Sequence, residues 1–257
     1  MQLSDAAREL VLAFADDELC VGQNHAWWIA IGPFLEEDLA FTSIAQDELG
    51  HARSLYGLIT DDVDGLAYGR KYSEYRSAHI AEMLCHDWSW ALVRHLLHDT
   101  AEQVRWRSLL GSTWSELGDV AQRCLAEEQF HKDHALSLAE RLLSSDEGNS
   151  HLKPVFVELA PLAREYFVGP DEELLATGVI SVSKAEQQRL WLQELNEFFE
   201  PYKIELSIED DAPSDGRSGV RSDDFSLLHD EMTAVLMIDP LATVSYTHLT
   251  LPTIYSV

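Results

Sequence analysis

Four stretches within the first 143 residues carry apolar side chains at the three- and four-residue spacing of an amphipathic helix, and each stripe is interrupted at mid-length by an acid. The first runs Ala7, Val11, Phe14, Val21, Trp28, with Glu18 and His25 between. The second runs Phe41, Ile44, Leu55, Leu58 and passes through Glu48 and His51. The third runs Leu84, Trp88, Leu92, Trp106, Leu109 and encloses His95, Asp99 and Glu102. The fourth runs Leu117, Ala121, Cys124, Ala135, Leu138, Leu142, and its gap falls on Glu128 and His131. Helices are expected over about residues 4–31, 33–59, 75–110 and 115–143, with short connections inside each pair and a longer one, 60–74, between the pairs. Two antiparallel pairs joined by a crossover make an all-α, ferritin-like four-helix bundle.

Burying one ionised carboxylate is strongly unfavourable, and burying four together multiplies the cost, so a cation must neutralise them. The chain has 18 Lys and Arg, and none lies on these stripes near the acids. A metal ion is the economical neutraliser. Glu48/His51 and Glu128/His131 are both Glu-x-x-His, and the i,i+3 spacing sets a carboxylate and an imidazole on one helix face. A single such motif is usually a solvated face; two, each with an acid about thirty residues upstream, are not an accident of composition. Glu18 precedes Glu48 by 48 − 18 = 30 residues and Asp99 precedes Glu128 by 128 − 99 = 29, so each hairpin returns its second acid to the depth of its first. The expected metal ligands are Glu18, Glu48, His51, Asp99, Glu128 and His131, the set of a carboxylate-bridged dimetal site. Glu102, one turn beyond Asp99 on the same face, competes with it, and spacing favours Asp99. His25, His95, His98 and His134 are expected around the ligands, as are Glu127 and Asp47, which are rotated off the stripes. Trp27, Trp28, Trp88, Trp90 and Trp106 read most simply as core. Carboxylate and imidazole suit iron or manganese, and iron is the ion that activates oxygen.

The formal net charge of −27 argues against a nucleic-acid or anionic-membrane partner and favours cations and basic proteins. No stretch approaches the ~20 consecutive apolar residues of a membrane span, and the amino terminus lacks the layout of a signal peptide, which together predict a cytoplasmic protein. Cys20, Cys85 and Cys124 show no paired spacing, so neither a disulfide framework nor a thiolate metal site is indicated. There is no Gly-rich dinucleotide turn and no cysteine cluster, so electrons must come from a separate flavin or iron–sulfur reductase.

Beyond residue 143 the expectation is a C-terminal helical extension, 144–243, packed on the bundle. Residues 144–154 read as a polar linker, with helices near 155–168, 183–199 and 222–238 and a mobile acidic loop near 207–220. Residues 244–257 lose charge and helical period together and read as a non-native read-through tail.

At these motifs the chain resembles the phenylacetyl-CoA epoxidase (phenylacetate-CoA oxygenase) family of bacterial multicomponent diiron monooxygenases. The segments FADDELCVGQ, GPFLEEDLAFTSIAQDELGHARSLY and DGRSGVRSDDFSLLHDEM resemble the structural, non-catalytic subunit, which typically lacks the metal ligands. QDELGHA and AEEQFHKDH resemble the catalytic subunit, whose ligands map by that resemblance onto the same six residues. Where the catalytic subunit has a lysine one turn before the helix-two glutamate this chain has Ile44, and where it has a further acid after the helix-one ligand this chain has His25. The resemblance implies an oxygenase holding two irons bridged by Glu48 and Glu128, using dioxygen to oxidise an aromatic or unsaturated acyl-CoA thioester. It also implies partner oxygenase subunits in a homo- or hetero-oligomer. A non-catalytic scaffold, a ferritin-type iron oxidiser and a manganese-loaded site are the alternatives.

Overall fold

In the computed structural model, which describes residues 4–208 and 215–238, the chain is all-α, with no strand among the described residues. The bundle consists of α1 (Asp5–Ala26), α2 (Leu35–Tyr56), α5 (Trp88–Leu109) and α6 (Ser115–Leu143). Two short helices, α3 (Val63–Tyr68) and α4 (His79–Glu82), lie in the crossover between the hairpins. The extension supplies α7 (Asp146–Ala163), α8 (Glu172–Thr177), α9 (Lys184–Phe199) and α10 (Phe225–Ile238). No helix among the described residues is long and apolar enough to cross a membrane.

Local chemistry sets most of the boundaries. The Ser4 hydroxyl accepts from the Ala7 N–H to open α1, and Asp87 does the same for the Trp90 N–H at α5. α1 stops at Ala26, five residues short of the expected end, because the chain turns through Trp27–Gly32 with Ala30 at φ +70°. Asp38 holds that turn by accepting from the Gly32 N–H at 2.8 Å.

The third expected helix, 75–110, is two elements. Its first part is α4 followed by extended chain, a path that buries Glu82 where the Ser77 hydroxyl, the Ser222 N–H and Arg221 all meet its carboxylate. The expected linker 144–154 is mostly the start of α7. Ser145 caps it, and its first turns are polar because one side faces solvent, while Leu152, Val155, Phe156 and Leu159 are buried. The acidic loop is also corrected in part. Residues 216–218 form a tight turn whose Arg217 is locked onto Asp17, while 209–214 lie outside the described residues, as does the whole expected tail 244–257. Of the five tryptophans expected in the core, Trp106 is fully buried and Trp27 is about half exposed, at 48%.

Buried apolar side chains form two clusters along the bundle. One contains Phe14, Leu55, Trp106 and Leu117. The other contains Leu92, Leu96 and Leu138 and continues into the extension through Phe156 and Trp191. The Trp191 indole N–H donates to Thr100 Oγ1 at 2.8 Å, docking α9 on α5. Each of the four bundle helices also carries buried acids and histidines, which on α6 fall between the two clusters.

Candidate metal centre

Glu18 of α1, Glu48 and His51 of α2, Asp99 of α5, and Glu128 and His131 of α6 are all among these buried residues. Every carboxylate oxygen of the four acids, and Nδ1 of both histidines, lacks a hydrogen-bond partner. Glu48 and Glu128 stand between the two imidazoles. Glu48 turns Oε2 to His51 Nδ1 and Oε1 to His131 Nδ1, each at 3.5 Å. Glu128 turns Oε1 to His51 at 3.1 Å and Oε2 to His131 at 3.7 Å. Glu18 Oε2 closes the His51 side at 3.5 Å. The donor atoms of Glu18, Glu48, His51 and Glu128 lie within 4.8 Å of one another, close enough to share one ion.

On the other side the structure departs from expectation. The second such group is Glu48, His98 and Asp99, and His131 is not in it. His98, expected only to surround the ligands, brings Nε2 to 3.9 Å from Glu48 Oε1, while the Tyr166 hydroxyl lies 2.9 Å from its Nδ1. A stripe argument could not rank His98, because α5 is buried almost all round and every face of it looks inward.

No basic residue is expected on these stripes near the acids, and among the described residues one meets Glu102, the competitor of Asp99, while none hydrogen-bonds the four expected ligand acids. Arg105, one turn past Glu102, places Nη1 2.6 Å from Glu102 Oε1 and Nη2 2.9 Å from Asp17. Glu102 thus has a cation on one oxygen, whereas Asp99 has none, which favours Asp99 as the α5 donor. Asp99 Oδ2 does approach His95 Nδ1 at 2.7 Å, but out of line for a hydrogen bond.

The outer nitrogens of the two motif histidines are held across the helix pair. His51 Nε2 meets Glu127 of α6 at 2.8 Å, and His131 Nε2 meets Asp47 of α2 at 3.4 Å. Each Glu-x-x-His thus has its imidazole oriented by the acid that precedes the other motif's glutamate, the arrangement that fixes the tautomer of a metal-ligating histidine. Behind them, His95 Nε2 lies 3.1 Å from His134 Nδ1, whose ring in turn reaches Glu37 at 2.9 Å. His25 has no partner on either ring nitrogen and packs against Phe41 and His95.

Without an ion the acids repel one another. Burial, then Glu102 and Glu48, push the Glu18 carboxyl well above the usual range, and burial and Glu48 do the same to Asp99. Burial opposes charge on the histidines, yet Cys124, Glu127 and Glu128 hold His51 well above its ordinary value, and Glu128 and Asp47 likewise raise His131. A metal ion at these imidazoles would compete with the protons that the surrounding acids favour.

A profile of the phenylacetic acid catabolic protein family matches residues 2–243. The chain belongs to that family. Among curated relatives it is similar to one of the subunits of 1,2-phenylacetyl-CoA epoxidase from Escherichia coli (strain K12), at 20% identity over 236 residues, which is 89% of this chain and 95% of the relative.

Proposed function

We propose that this family member is a metal-bearing oxygenase subunit that holds two iron ions in the bundle and oxidises an aromatic or unsaturated acyl-CoA-type substrate with dioxygen. The observation that carries this reading is the set of buried carboxylate oxygens and imidazole nitrogens that converge from four helices with no hydrogen-bond partner. Glu18, Glu48, His51 and Glu128 would hold one ion, and Asp99 with Glu48 and His98 would hold the other, with the expected ligand His131 beside Glu48 and Glu128. Bound iron supplies the redox chemistry of oxygen activation. The chain's own contribution is geometry and dryness. Glu127 and Asp47 fix the imidazoles, and fully buried Phe41, Ile44 and Trp106 wall the layer from water. The substrate class follows the name of the relative, and partner subunits with a separate reductase follow from its being one subunit of an epoxidase.

A second reading is a non-catalytic subunit that keeps the metal as a structural element. It is favoured by the segments that resemble the structural subunit, among them DGRSGVRSDDFSLLHDEM, whose Arg217 locks onto Asp17. Anaerobic iron titration followed by oxygen exposure separates the two. The oxygenase reading expects two ions per chain and oxygen uptake that increases with acyl-CoA and reductant. Two ions with no oxygen uptake in the reconstituted complex would leave the scaffold. Glu128→Ala should abolish binding of the second ion while leaving helix content intact; retention of two ions overturns the ligand assignment.

A further inference from the structure

Four of the chain's 18 basic residues, Arg76, Arg105, Lys184 and Arg217, line one cavity of about 380 Å³. It lies between α1, the start of α9 and the turn that follows α7, and its walls are aliphatic, including Leu10, Val168 and Leu174. In a chain of net charge −27 such a concentration of cations is unexpected, and three of them are already neutralised. Arg217 spans both oxygens of Asp17 at 2.8 Å, Arg105 bridges Asp17 and Glu102, and Arg76 meets Glu9 at 3.2 Å. Glu9 and Asp5 are the acids on the lining, and both are exposed.

Lys184 is different. Among the described residues its ammonium donates to the Val168 carbonyl at 2.9 Å and forms no ion pair. It is also the first residue of α9, where the helix dipole disfavours a cation. Burial, with Arg217 and Arg105 nearby, pushes it down to about 8. Gly169, at φ +114°, leaves room for it: a Cβ there would stand 2.9 Å from Nζ. Asp171 accepts from the Lys184 backbone N–H at 2.6 Å and favours its charge from one remove, but the ammonium at the end of this aliphatic cavity has no carboxylate in ion-pair contact among the described residues and is free to take an anionic ligand group.

We infer that this cavity binds a small organic anion, a carboxylate or phosphate ester on an aliphatic body, with Lys184 meeting the charge and Leu10, Val168 and Leu174 the body. Arg105 commits its donors to acids, and Arg217 to Asp17 and backbone carbonyls, so both contribute field; Arg76, on Glu9 and two carbonyls, stands closer to solvent.

The test uses the full chain with hexanoate and hexyl phosphate as probes and hexanamide and inorganic phosphate as controls. Amine acylation at near-neutral pH, read peptide by peptide by mass spectrometry, should show Lys184 protected by the two probes and not by hexanamide, while Lys71 and Lys153 stay unprotected. Whichever probe protects at lower concentration names the head group. Absence of protection by either probe overturns the inference, and equal protection by inorganic phosphate overturns the aliphatic body. Lys184→Met should weaken binding of the better probe by about tenfold or more in calorimetry, about 1.4 kcal/mol, with an unchanged helical spectrum. Unchanged affinity in a folded variant also overturns it. If that variant does not fold, protection in the unaltered chain still decides.

Discussion

Asp16, Asp17 and Glu18 are consecutive on α1 and all fully buried, yet they have opposite fates. Asp16 receives Arg70, the Tyr56 hydroxyl and the Arg76 N–H; Asp17 receives Arg217, Arg105 and the Ala78 N–H. Glu18 receives no hydrogen bond at all. The electrostatics follow. Although burial opposes it, Arg217 and Arg105 hold the Asp17 carboxyl below its ordinary range, while the Glu18 carboxyl stands well above it. Burial of an acid therefore does not mark a metal site. Burial without a partner is what sets Glu18 apart and what the proposed ion would answer.

The largest expected effect tests the paired side. Asp17→Ala leaves two arginines facing an uncharged gap and should cost about 3–5 kcal/mol of unfolding free energy, measured by denaturant titration of the metal-free protein. A loss under about 1 kcal/mol would erase the distinction between the two acids. Next comes the ion itself. Ferrous iron at about 100 times its dissociation constant should raise the unfolding free energy by about 2.7 kcal/mol, and chelation should reverse it. An unshifted melting curve would mean that the unpartnered layer does not bind iron. Glu127→Gln should lower metal affinity by about 10–100-fold, and Asp47→Asn by less, because Glu127 meets its histidine at 2.8 Å and Asp47 at 3.4 Å. The reverse ranking would show that these distances do not govern the site.

The smallest effect is on the unpartnered side. Glu18→Gln mimics the protonated acid, so it should change metal-free stability by less than about 1 kcal/mol at low pH while removing one ion. Because the Glu18 carboxyl is raised above its ordinary 4.5, the stability it carries is complete below about 4.5 and is lost as pH rises through the raised value. The variant has no such loss, so it should gain on the parent as pH climbs above 4.5, read by parallel thermal melts under chelator. A gap that closes on going up in pH would reverse the sign.

The four bundle helices, and the burial of the six expected ligands, were legible in the sequence because each of those residues interrupts an apolar stripe. α5 broke that logic: it is buried on nearly all sides, so His98 and Arg105 gave no periodic signal. The pairing of Asp17 was hidden for another reason. Its partner Arg217 lies 217 − 17 = 200 residues away in a segment that reads as a mobile acidic loop, and no local pattern announces a contact of that span. The start of α7 was missed because its polar turns face water, and polarity alone does not separate an exposed helix face from a linker.

The reciprocal bracing of His51 by Glu127 and His131 by Asp47 means that neither hairpin is a half-site in its own right. A fragment ending before α5 keeps Glu18, Glu48 and His51 but loses the residue that aims the imidazole, and a fragment beginning there has the converse defect. On the proposed reading, loading with iron would be tied to the closure of the two hairpins onto each other, because each imidazole is aimed only when the other hairpin has packed against it.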